Sequence, residues 1–251
     1  MSGEFEGPRT AIVTGGGRRI GAALCRALAD DGWHVLIHCL HSRAEADALA
    51  GELGNATVVV ADLASPSCAE EVFGALDGLP PAKLLVNNAS RFSFDSADDF
   101  TVEQWDAHLD VNLRAPALLS KAFAQQAEGG LIVNLLDAKL ANPNPDFFSY
   151  TASKLGLAGL TELTARAFAG RRIRVCGIAP SVTLVSGAQS SDNFEAVHKL
   201  NALGRGVEVA QVVAALRFLI QAPTLTGQTI TLDAGQRFLG LCRDVQFLES
   251  R

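Results

Sequence analysis

Apolar and polar positions switch repeatedly between two periods along this chain. Short β-branched runs read as strands: Thr10–Thr14, Val35–Cys39, Thr57–Ala61, Lys83–Val86, Leu131–Leu136, Arg174–Ile178 and Thr229–Leu232. They are apolar on both sides, as strands covered on both faces of a parallel sheet are. Between them lie segments of helical period: Ile20–Asp30, Ala44–Leu53, Ala69–Leu76, a long one over Val102–Gln126, Ser149–Ala169 and Val209–Ile220. Such alternation predicts one α/β domain over residues 1–251, a doubly wound parallel sheet flanked by helices. Ser181–Arg205 is irregular and polar. A connection of that length predicts a substrate loop or lid.

The first strand runs into TGGGRRIG, Thr14–Gly21, before a helix. Glycines in that place let a backbone approach a pyrophosphate, and the helix N-terminus offers free N–H groups to it. A tight turn without a ligand is the plainer alternative. NAD sites place an acid at the end of the second strand to hold the ribose 2′-hydroxyl. Here HVLIHCLHSRAEA has no acid before Glu45 and carries His38, His41, Ser42 and Arg43 instead. Donors without a repelling carboxylate suit a 2′-phosphate, so the turn predicts NADP(H) over NAD(H). His38 lies inside the strand and reads equally as a hydrogen-bonded core histidine.

The chain's single tyrosine, Tyr150, precedes Lys154 by one helical turn, so the two share a helix face. An ammonium near a phenol favours the phenolate and lowers its pKa, which would make the hydroxyl a general acid near neutral pH. An acid, Asp137, stands thirteen residues before the tyrosine.

Composition narrows the field. Apolar residues make up 48% of 251 residues, enough for a sizeable core. The net charge is −6 without a basic stripe, which argues against nucleic acid and anionic membranes as partners. The sequence has no apolar run of membrane-spanning length. Five scattered cysteines without a CxxC pair predict free buried thiols in a reducing cytoplasm and no metal site.

TGGGRRIG, ADL at Ala61–Leu63, NNAS at Asn87–Ser90, VNL at Val111–Leu113, YTASK, APS at Ala179–Ser181 and LTGQTITLDAGQ near the end together resemble the short-chain dehydrogenase/reductase family. The resemblance covers nearly the whole chain. It implies a single-domain Rossmann-type fold and NADP(H) or NAD(H) hydride transfer, with Tyr150 as proton donor. Lys154 would hold the nicotinamide ribose and Asn112 would anchor a proton-relay water. Asp62 and Leu63 would flank the adenine, Asn88 would meet the cofactor ribose, and Gly15, Ile20, Gly21, Ala89, Pro180 and Ser181 would complete the cofactor's contacts. A homotetramer packed through the helices of Trp105 and Tyr150 is implied too.

Two positions depart from the common family pattern: Arg19 stands where a glycine is usual, and Asp137 where a serine is usual. A carboxylate there would repel the developing oxyanion of a reduced ketone. It suits a C=N bond that needs a proton, or an N–H it can grip; capping the following loop is the plainer role. RRIG, HCLHS, NNASRF and LLDA…YTASK are similar to the pteridine-reductase branch. That branch implies NADPH-dependent reduction of a pterin or folate, a small-molecule substrate with Phe92 stacked on its ring. Ser90 and Arg19 would contact the pterin or a cofactor phosphate, and His41 and Ser42 the 2′-phosphate. Phe92 reads alternatively as a buried strand-end residue. A carbonyl or oxoacyl reductase, or an NADP(H) sensor without turnover, are the competing readings. RFLGLCRDVQFLESR at the end has Phe and Leu residues suited to docking on a neighbour or closing over the site.

Overall fold

The computed structural model describes residues 5–185 and 189–248. Seven strands form one parallel sheet: β1 Thr10–Val13, β2 His34–Cys39, β3 Ala56–Val60, β4 Ala82–Asn87, β5 Gly130–Leu135, β6 Ile173–Pro180 and β7 Thr229–Leu232. Their spatial order is β3-β2-β1-β4-β5-β6-β7. The order reverses between β1 and β4, so a crevice opens beyond their carboxyl ends.

Alternation along the buried strands divides the core in two. Ala11, Val13, Leu84, Val86, Leu131 and Val133 pack on one face with residues of α1 (Arg19–Asp30) and α8 (Val209–Gln221). Ile12, Leu85 and Ile132 face the other side, against α3 (Cys68–Gly74) and α5 (Ala115–Gln126). The remaining helices are α2 (Arg43–Leu53), α4 (Val102–Leu109), α6 (Phe148–Phe168) and α7 (Ser191–His198). Among the described residues, no helix is long and apolar enough to cross a membrane.

Three expectations need correction. The long helix over Val102–Gln126 is broken into α4, a π-helical turn at Asp110–Arg114, and α5. Pro116 has no N–H to give the Asn112 carbonyl four residues back, which favours widening there. The polar connection 181–205 contains α7, started by Ser190, whose side chain accepts from the Asn193 N–H at 3.1 Å. Four cysteines are buried and free, but Cys242 is exposed.

A buried chain of amides ties β4 and β5 to α6: Asn87 donates to Asn134 at 2.8 Å, and Asn134 donates to Thr161 Oγ1 at 2.9 Å. Thr161→Val keeps the shape and removes that acceptor. Stability should fall by about 1–3 kcal/mol, seen as a lower denaturant midpoint at unchanged m-value.

Candidate active site

The crevice beyond the sheet's carboxyl edge has a volume of about 810 Å³ and is lined from the glycine turn to the tail. At one end Gly15, at φ +61°, comes so close to β4's exit that an added Cβ would sit 3.0 Å from the Ala89 Cα. Asn88 fastens the turn, donating from Nδ2 to the carbonyls of Thr14 (2.8 Å) and Gly15 (3.1 Å). The Ala89 N–H donates to Thr14 Oγ1 at 3.0 Å. Gly21 presses on the same turn: a Cβ there would lie 2.1 Å from the Gly15 carbonyl oxygen. Gly21→Ala should therefore cost about 1–3 kcal/mol of stability. It should also raise the NADPH Kd roughly tenfold or more by displacing the phosphate turn, as fluorescence titration would show.

His38 does not offer a donor to a phosphate. It is buried, its Nδ1 accepts from the Gly15 N–H at 3.1 Å, and its Nε2 meets the Ala61 carbonyl at 3.0 Å. Both ring nitrogens are thus spent on holding the turn. Burial also lowers its pKa, so it stays neutral. His41 and Ser42 do line the crevice past the end of β2. Glu45, the first acid there, is paired with Arg18 at 3.3 Å. Arg18 lines this end too and is a phosphate-compatible cation that the sequence reading passed over.

Arg19 occupies the left-handed region at φ +56°. A residue with a Cβ is strained there, which accounts for the usual glycine. Its guanidinium donates to the Val185 carbonyl at 2.7 Å, tying the turn to the connection after β6. Asp62 caps its own turn by accepting from the Ala64 N–H at 2.8 Å, beside buried Leu63. Pro180 and Ser181 lie at the end of β6, where the Ser181 N–H donates to the Leu232 carbonyl at 2.8 Å.

At the other end β5 delivers Asp137 and α6 delivers Tyr150 and Lys154, one turn apart and buried. No side chain caps α6 at Phe147; instead Asp95 accepts from the Ser149 N–H at 3.0 Å. Tyr150 donates its hydroxyl to Asp137 Oδ2 at 2.7 Å. Asp137 Oδ1 accepts from the Lys139 N–H at 2.8 Å, so the acid caps its loop and holds the phenol at once.

Lysine does not lower the phenol's pKa. Burial first, then the Asp137 charge and hydrogen bond, push Tyr150 well above its ordinary range. The Lys154 ammonium is turned away, donating to the Leu135 carbonyl at 2.7 Å and lying 5.8 Å from the ring centroid. Burial lowers Lys154 to about 8, partly offset by Asp137. The phenol therefore keeps its proton at neutral pH.

Asn112 sits on the π-helical turn with its side chain fully engaged. Its Nδ2 donates to the Arg91 carbonyl and to Ser153 Oγ, both at 3.0 Å. Its Oδ1 accepts from the Arg91 N–H at 2.8 Å and from Ser90 Oγ at 3.2 Å. The amide has no capacity left for a relay water. Phe92 stacks on Phe147 at 4.4 Å and meets Tyr150 edge-on at 4.8 Å. Phe147 therefore covers one face of Phe92. The final segment lies over this chain's own crevice, with Leu241, Arg243, Asp244, Val245 and Gln246 among the lining.

A dinucleotide-sized crevice at the switch point, ending on a tyrosine–lysine pair, defines a nicotinamide-dependent reductase. The chain belongs to the short chain dehydrogenase family, whose pattern matches residues 9–196. It is 30% identical over 238 residues to a 3-oxoacyl-[acyl-carrier-protein] reductase of Synechocystis, covering 90% of this chain and 96% of that one. It is also similar to solved structures of FolM alternative dihydrofolate reductase 1 in complex with NADP. The Brucella canis protein is 38% identical, with a TM-score of 0.88 and coverage of 92% of this chain and 94% of that one. The Brucella suis protein is 39% identical, with a TM-score of 0.87 and coverage of 92% and 95%.

Proposed function

We propose that this protein reduces a pterin or folate-like heterocycle with NADPH. The observation that carries the reading is the 2.7 Å hydrogen bond from Tyr150 to Asp137. A ketone's developing oxyanion would meet a carboxylate there, whereas a ring nitrogen gaining a proton meets an acceptor and a phenol that holds its proton. The FolM structures, reductases in complex with NADP and 38–39% identical, agree with it.

The residues present fit the dinucleotide. The close approach at Gly15, the N-terminus of α1 and the Arg18–Glu45 pair together leave room for phosphates without an unpaired acid beside them. Bound NADPH supplies the hydride. Tyr150 donates its proton toward the ring nitrogen, directly or through Asp137 Oδ2, and Asp137 orients the ring by accepting its N–H groups. Lys154 holds the ribose and fixes the Leu135 carbonyl. Phe92, which lines the crevice, covers the ring.

Steady-state NADPH oxidation with dihydrobiopterin, dihydrofolate and a ketone panel tests this reading. The heterocycles should exceed the ketones in kcat/KM by at least a hundredfold, on the order of one acid–base contribution. Ketones turned over faster than both heterocycles would refute it. Lys154 adds a pH signature. Its pKa of about 8 in the folded protein lies below the ordinary lysine value of 10.5. Ribose binding by the ammonium is present below about 8 and is lost as pH rises through it, so kcat/KM should fall on that limb. The sign for stability is opposite: the cost of burying the charge is full below about 8 and disappears toward 10.5.

A further inference from the structure

The reading above uses Asp137 and Tyr150 but leaves unexplained a dense charged cluster beside them, between the loop after β5 and the chain's end. Asp146 is 6% exposed. Its carboxylate accepts from Arg243 Nε at 2.8 and 3.0 Å and from the Asp244 N–H at 2.7 Å. Asp244 in turn pairs with Lys139 at 3.3 Å, where both side chains are largely covered. Lys139 Nζ also donates to the Asp146 carbonyl at 2.5 Å. Rings continue the contact: Phe247 stacks on Phe147 at 5.8 Å, and Phe147 on Phe92 at 4.4 Å. Lys139 is the link to the chemistry, because its backbone N–H holds Asp137 Oδ1 while Oδ2 holds Tyr150.

We propose that Lys139 and Asp244 are positioning residues: their ion pair docks the C-terminal segment as a wall of the substrate subsite and fixes the rotamer of Asp137. The proposal rests on Asp137 being the proton-handling acid. The two ends of the cluster are about a hundred residues apart in sequence, so the tail supplies what the short turn at Ala138–Ala141 cannot supply alone. A lysine free to leave Asp244 would let that turn move, and with it the carboxylate. A misplacement on the order of 1 Å at a reacting group is worth up to about a hundredfold in rate.

The test is a set of full-length variants assayed with NADPH and dihydrobiopterin. Lys139→Met and Asp244→Asn should each lower kcat about tenfold, leave the NADPH Kd within about twofold, and together cost no more than the worse single change. Lys139→Arg should restore most of the rate. In an Asp137→Ser background, Lys139→Met should cost nothing further, because the group it positions is gone. A merely structural role would lower the melting temperature and still add to Asp137→Ser; that additivity would overturn the proposal. If Lys139→Met does not fold, Asp244→Asn in the same background decides the matter. Wild-type protein that reduces ketones and no heterocycle would sink the substrate assignment alone. A crystal structure of Lys139→Met would still decide the positioning claim: an Asp137 carboxylate turned from Tyr150 upholds it, and an unmoved one refutes it.

Discussion

Tyr150→Phe should lower kcat about a thousandfold while NADPH still binds within about twofold of wild type. The size follows from the geometry, since a positioned general acid contributes roughly a hundredfold to ten-thousandfold. In the proposed reaction the phenol is the acid: it is buried, holds its proton and lies 2.7 Å from the Asp137 carboxylate. The substitution keeps the ring against Phe92, where the centroids lie 4.8 Å apart, so aromatic packing is retained. Single-turnover kinetics with bound NADPH would isolate the chemical step. Residual kcat within tenfold of wild type would mean that another group delivers the proton.

Asp137→Ser should separate the two classes of substrate. Pterin or folate turnover should fall about a hundredfold in kcat/KM, the scale of one acid–base partner, while reduction of a ketone should hold or rise. A serine hydroxyl can donate to a carbonyl oxygen, whereas a carboxylate only accepts. The removal of its charge and hydrogen bond also takes away two of the causes that raise the Tyr150 pKa, leaving burial and the Asp244 charge. The phenol then loses its proton more readily. Heterocycle reduction unchanged by this substitution would leave Asp137 a loop cap with no part in proton transfer.

Much of this was readable in the chain. The inner strands β1, β2, β4, β5 and β6 announced themselves because they are largely buried, and an apolar run is a local signal; the edge strands β3 and β7 are only partly covered. Tyr150 and Lys154 could be paired because one helical turn fixes their common face. What spacing could not give was direction. Lys154 lies one turn from Tyr150 and donates to the Leu135 carbonyl, yet burial and the Asp137 carboxylate raise the phenol's pKa where a fall was expected. His38 presented the same problem: a histidine at the end of a strand looks like a donor until both ring nitrogens are found bonded. The break in the helix around Asn112 hid because the apolar period runs on through Pro116. The start of α6 was legible to within one residue, Ser149 against Phe148, although the capping Phe147, at φ +53°, is neither glycine nor asparagine. The tail's docking was least legible, because Arg243 and Asp146 meet across 97 positions and no short motif encodes that distance.

The most direct test is a crystal structure of the protein with NADP and a dihydropterin bound. The ring should lie against Phe92, with a ring nitrogen or its exocyclic amine about 2.7–3.0 Å from an Asp137 oxygen. An Asp137 carboxylate turned away from the pocket, or a carbonyl oxygen of the ligand in that place, would contradict it.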